Sequence, residues 1–201
     1  METPTYCVAG LGNPGERYTA TRHNLGFRVA DRLATERSTD IRRLEYQALT
    51  ATARIGRSEV LLMKPQTYMN LSGGSISAAC SDLDIPLERL VAVYDDVDLP
   101  IGRVRVRRGG GSGGHRGVAS IIERMAGAEF PRVRIGVGRP PEGTPVDEFV
   151  LAPVAASEVA VLEEAVVRAA DAVCVIVSDG IEAAMRRFNA TTVTRGDAES
   201  S

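Results

Sequence analysis

His23 and His115 are the only histidines in this 201-residue chain, so proton transfer by imidazole near neutral pH must use one of them. His23 stands at the entrance of a helical pattern, shortly after Asn13 in a Gly-Asn-Pro-Gly turn. Asp95, Asp96 and Asp98 close a continuous apolar run, Leu90 to Tyr94, and α/β proteins form ligand sites at such strand ends. A carboxylate facing His23 would fix its tautomer and stabilise its charged form, which makes a general base. The plain alternative for His23 is a helix cap or a surface residue.

Three other constellations invite chemistry. Gly10, Gly12 and Gly15 spell G-x-G-x-x-G, but Pro14 and a polar stretch follow where a dinucleotide fold opens into a helix. Asp31 falls inside the next helical pattern instead of ending a second strand, so a tight turn explains the glycines better. Gly110-Gly111-Ser112-Gly113-Gly114 fits a nucleophile elbow, yet only His115 follows it, too close to swing back behind Ser112. The order His23, Asp95, Ser112 matches another arrangement of a serine triad, and chain order alone carries little weight. The third is Arg103, Arg105, Arg107, Arg108 and Arg116 set among six glycines. Alternation puts Arg103, Arg105 and Arg107 on one strand face, and the glycines free backbone N–H groups at the start of a helix. A solvated edge strand is the simple alternative. The loop lacks the Lys-Ser/Thr pair of a nucleotide-binding P-loop, so an RNA backbone is the better ligand.

The elements that must position these residues follow from periodicity. Apolar or alternating runs predict strands at Tyr6 to Gly10, Leu44 to Ile55, Glu59 to Met63 (stopped by Pro65), Leu90 to Tyr94, Arg103 to Arg107 and Arg132 to Gly138. Helical spacing marks residues 24–36 and 74–82, and the stretch after Gly114. It also marks a long helix carrying Val159, Leu162, Val166, Ala169, Val173 and Ile176, and a last one with Ile181, Ala184 and Phe188. Pro140 to Pro145 reads as a loop, and 140–152 as a lid over the cleft. These alternate into one α/β domain over residues 1–189, a mixed twisted sheet with helices on both faces, before a polar tail at 190–201. Net charge is −2, Lys64 is the only lysine, and no apolar run approaches a membrane span. Cys7, Cys80 and Cys174 are scattered, so no metal site or disulfide frame is expected, and the cytoplasm is the default address.

The segments GLGNPGERYTATRHN, KPQTYMNLSG, YDDVDLP and GGGSGGHRG, followed by FPRVRIGVGRP, together resemble bacterial-type peptidyl-tRNA hydrolases across about residues 6 to 189. The resemblance implies a single, usually monomeric α/β domain that cleaves the ester joining a peptide to tRNA, without metal or cofactor. It implies His23 as the base that activates water, Asp95 as its stabilising carboxylate, and Asn13 as the group that separates N-blocked from free aminoacyl-tRNA. Tyr18, Tyr68 and Asn70 would contact the peptidyl-aminoacyl end, with Met69, His115 and Arg116 beside them. Arg107 and Arg134, with Arg105 nearby, would grip tRNA phosphate. Such a protein has no use for DNA or a membrane. A non-catalytic RNA-binding protein on the same fold is the rival reading. Two positions depart from the family pattern: Arg116 stands where GGHNG has asparagine, and Tyr94 where histidine is frequent. Arginine is larger, always charged and accepts no hydrogen bond; it could reach a phosphate or the peptide carbonyl, or narrow the channel.

Overall fold

A computed structural model describes residues 5–190. Seven strands form one sheet in the order β2-β3-β4-β1-β5-β7-β6. The strands are β1 (Tyr6–Gly10), β2 (Arg43–Glu45), β3 (Ala48–Ile55), β4 (Ser58–Pro65), β5 (Leu90–Asp96), β6 (Val104–Arg107) and β7 (Arg132–Gly136). β1, β4, β5 and β7 run parallel, while β2–β3, β3–β4 and β6–β7 pair antiparallel. The helices are α1 (Leu25–Glu36), α2 (Ser72–Asp82), α3 (Arg116–Met125), α4 (Val146–Leu151), α5 (Ala156–Asp179) and α6 (Ile181–Asn189).

Strand alternation divides the core. Val8, Val60, Leu62, Val91, Val93, Val133 and Ile135 point to one side, where α1, α5 and α6 cover them. Cys7, Ala9, Leu61, Met63, Leu90, Ala92 and Tyr94 point to the other side, beneath α2 and α3. Helices therefore cover both faces, as expected. On the second face the cover stops short of the β7–β6 end, where Arg107, Arg132 and Arg134 line a cleft.

Close backbone approach explains two of the opening glycines. A Cβ on Gly10 would lie 2.2 Å from Gly26 O, and one on Gly12 would lie 2.7 Å from the Phe27 ring. They let α1 lie against β1; only Gly15, at φ 105°, serves the turn itself. Elsewhere the structure corrects the sequence reading. Leu44 to Ile55 is two strands, because Tyr46 and Gln47 both take positive φ and reverse the chain. Pro65 is the last residue of β4, paired with Ala48, so the strand runs two residues past Met63 and ends at the proline. Residues 146–151 form α4, so only the first part of the expected 140–152 loop lacks helix. Val159 is exposed on the first turns of α5, outside its buried stripe. Of the expected tail, 191–201 lie outside the described residues.

Gly26 is the tightest test of the α1 contact, since its Cβ would meet Leu11 N and Val93 O at 2.3 Å. Gly26→Ala is expected to destabilise by about 2–3 kcal/mol. Gly74→Ala, in open space on α2, should stabilise by about 0.5–1 kcal/mol. Chemical denaturation of both variants checks the contrast.

Candidate active site

His23 and Asp95 meet because α1 is pulled against β1 and β5. His23 lies in a 3-10 turn, Arg22–Asn24, immediately before α1, and Asp95 lies near the end of β5. His23 Nδ1 is 2.8 Å from Asp95 Oδ1, and both residues are buried. Nδ1–H donates to the carboxylate, which leaves Nε2 as the basic nitrogen.

His115 also reaches that oxygen, with Nε2 3.3 Å from Asp95 Oδ1. It caps α3 as well: its Nδ1 accepts from the Val118 N–H at 3.3 Å. A nitrogen that accepts from an amide cannot carry a proton, so His115 holds its proton on Nε2 and donates it to Asp95. The two imidazoles thus use opposite tautomers. Their ring centroids are 5.0 Å apart, and the Tyr94 ring packs 4.7 Å from that of His115. Burial opposes ionisation of Asp95, but the His23 charge and the hydrogen bonds from His115 and His23 outweigh it. The carboxyl is held well below the ordinary carboxylate range.

His23, Asp95 and His115 also bring three potential ligand atoms within 4.8 Å of one another. A metal on His115 Nε2 would need the proton moved to Nδ1, which breaks the Val118 cap. The donor set therefore fits a hydrogen-bonded relay better than a metal centre.

Asn13 is fixed from two directions. Asn24 Oδ1 accepts from the Asn13 N–H at 2.8 Å, and Asn24 Nδ2 donates to Asn13 O at 3.0 Å. The Asn13 side-chain oxygen accepts from the Met69 N–H at 2.8 Å. That contact assigns the amide orientation and keeps Nδ2 as a donor.

The histidines, the carboxylates at 95, 96 and 98, Asn13 and the expected substrate-binding residues all line one cleft of about 760 Å³. Asn13, Tyr18, His23, Tyr68, Met69 and Asn70 approach from one part of the chain, and Arg107, Arg116, Arg134 and the glycine loop from another. The remaining arginines of the cluster do not join them. Arg103 donates to Asn189 O at 2.9 Å, and Arg108 pairs with Glu182 on α6. Arg105 lies outside the lining, directly opposite Arg134 in the β6–β7 register, as Arg107 is opposite Arg132. Like charges opposed across strands are destabilising. Arg134 is relieved by an ion pair with Asp96. Arg105 keeps a lowered basicity, from Arg107 first, then partial desolvation, Arg134 and Arg103.

Arg132 is buried, and its guanidinium holds the carbonyls of Gly110, Gly111 and Ala128. Because each peptide unit is trans and planar, the N–H groups of Gly111 and Ser112 point away from that guanidinium. Ser112 has no imidazole partner among the described residues, so the base–nucleophile contact of a serine hydrolase is missing. Arg116 spans to α4, pairing with Asp147 at 3.0 Å, and both residues line the cleft. Asn24 and Arg132 were not expected at the site, whereas the α4 lining residues Val146, Asp147, Val150 and Leu151 fall within the 140–152 segment expected over the cleft. Only the placement of Asn24 beside His23 could have drawn attention to it.

Fold and cleft define an α/β protein with a histidine–carboxylate site facing a cationic wall. The family model described as peptidyl-tRNA hydrolase matches residues 7–196, and the chain belongs to that family. A peptidyl-tRNA hydrolase of Caldanaerobacter subterraneus is 48% identical over 184 residues, covering 92% of this chain and 99% of the relative. One from Carboxydothermus hydrogenoformans is 46% identical, covering 92% and 98%. The crystal structure of peptidyl-tRNA hydrolase from Acinetobacter baumannii superposes with a TM-score of 0.87 at 31% identity, covering 94% of this chain and 97% of that one.

By linkage, the depressed Asp95 contributes stability that is present above the ordinary carboxylate range and lost as pH falls through the lower value in the folded protein. The stability gap between the protein and Asp95→Asn should therefore narrow in strong acid, as read by thermal denaturation.

Proposed function

We propose that the hydrolysis of peptidyl-tRNA, the activity of this family, is carried here by His23 with Asp95. The observation that carries this is the 2.8 Å contact between His23 Nδ1 and Asp95 Oδ1 at the cleft. His23 Nε2 takes a proton from water, and the resulting hydroxide adds to the ester carbonyl. Asn13 Nδ2 is a fixed amide donor for the peptide or the developing oxyanion. As the carbon–oxygen bond breaks, the imidazolium returns its proton to the ribose oxygen of the leaving tRNA. Asp95 stabilises the charged imidazole between the two transfers, and His115 holds Asp95 in place.

Tyr18, Tyr68, Met69 and Asn70 contact the acyl end, and His115 and Arg116 bound it at the start of α3. Arg105, Arg107 and Arg134 grip phosphate, a role supported by the crowding of like charges that a polyanion would relieve. In this reading the protein is a monomeric single domain over residues 1–189, acts in the cytoplasm, and needs no metal, cofactor, DNA or membrane. Among the described residues, no helix is long and apolar enough to cross a membrane.

The test is release of N-acetyl-aminoacyl groups from tRNA by pure protein in chelator, with free aminoacyl-tRNA spared. His23→Ala should lose at least about 100-fold in kcat while tRNA affinity changes little. Retained activity would remove His23 from the mechanism, and tRNA binding without release in the unmodified protein would favour the RNA-binding rival. Replacing Arg107 and Arg134 by alanine should weaken tRNA binding and reduce its salt dependence by up to about two phosphate contacts. An unchanged salt slope would remove both from the phosphate grip.

A further inference from the structure

Arg22, the residue before the base, is buried although charged. Its guanidinium reaches the α4–α5 junction, donating from Nη1 to Phe149 O at 3.4 Å and Pro153 O at 3.5 Å. Nη2 pairs with Glu158, and the guanidinium carbon lies 4.1 Å from the Phe149 ring centroid. The backbone joins at the same place: Thr21 bridges Pro153, and Val154 N–H donates to Ala20 O at 2.9 Å. On its cleft side α4 presents Val146, Val150 and Leu151. One short helix therefore bounds the cleft and is bolted to the turn that carries His23. Arg22 Nε is buried with no partner, a cost that an apolar residue serving only to pack would avoid.

We infer that Arg22 is a positioning residue, fixing α4 to the His23 turn so that seating of the acyl chain and orientation of the imidazole depend on one anchor. This rests on His23 being the base, but its failure is separable. A dispensable His23 shows itself in His23→Ala, whereas a dispensable Arg22 shows itself only in the variants below.

The experiment is a double-mutant cycle on kcat and KM for N-acetyl-aminoacyl-tRNA, measured well below each variant's melting midpoint. Arg22→Met should lower kcat by about 30-fold with KM within about threefold, since the phosphate wall is untouched. Arg22→Lys should recover part of that loss. Glu158→Gln should lower kcat by about fivefold, and the double variant should be no slower than Arg22→Met alone. A merely structural role would lower the melting midpoint and leave kcat per folded molecule within about threefold, which would overturn the inference. Fully additive losses would overturn it too. Should Arg22→Met fail to fold, Arg22→Lys and Glu158→Gln decide, and unchanged kcat in both overturns it.

Discussion

Asp95 Oδ1 is one buried oxygen shared by two imidazoles, and the geometry of the site depends on that sharing. A buried carboxylate is costly unless its charge is met by donors. Here His23 and His115 supply them, at 2.8 and 3.3 Å. The same two contacts set what each ring can do: His23 keeps a free basic nitrogen, while His115 commits its own to the α3 cap.

Three consecutive residues then tie the site to the rest of the molecule. Arg22 reaches the α4–α5 junction, His23 reaches Asp95, and Asn24 holds Asn13 by a reciprocal pair. In this 3-10 turn consecutive side chains stand about 120° apart, so the three point in three directions. That turn is placed by α1, whose Gly26 lets the helix backbone touch Leu11 and Val93.

Much of this was legible in the sequence, because periodicity and turn chemistry are local. The strands β1, β5 and β7, the helices α1, α3 and α5, and the pairing of His23 with a carboxylate at 95 follow from such patterns and from the family resemblance. What was not legible depends on tertiary contact. Tyr46 and Gln47 form a turn without the glycine that usually marks one, and Ser75 Oγ donates to Tyr46 O across the structure. Arg132 looks like a solvated residue in an alternating strand, yet it is withdrawn beneath the glycine loop. Arg22 likewise carries no local mark of burial; its partners lie more than a hundred residues away.

Asp95 and the α3 cap force opposite tautomers on the two histidines. Nitrogen-15 imidazole spectra of the free protein, recorded above the histidine titration range, test this directly. A protonated Nδ1 and bare Nε2 are expected at His23, with the reverse at His115. The same tautomer at both positions, or a bare Nδ1 at His23, would contradict this assignment.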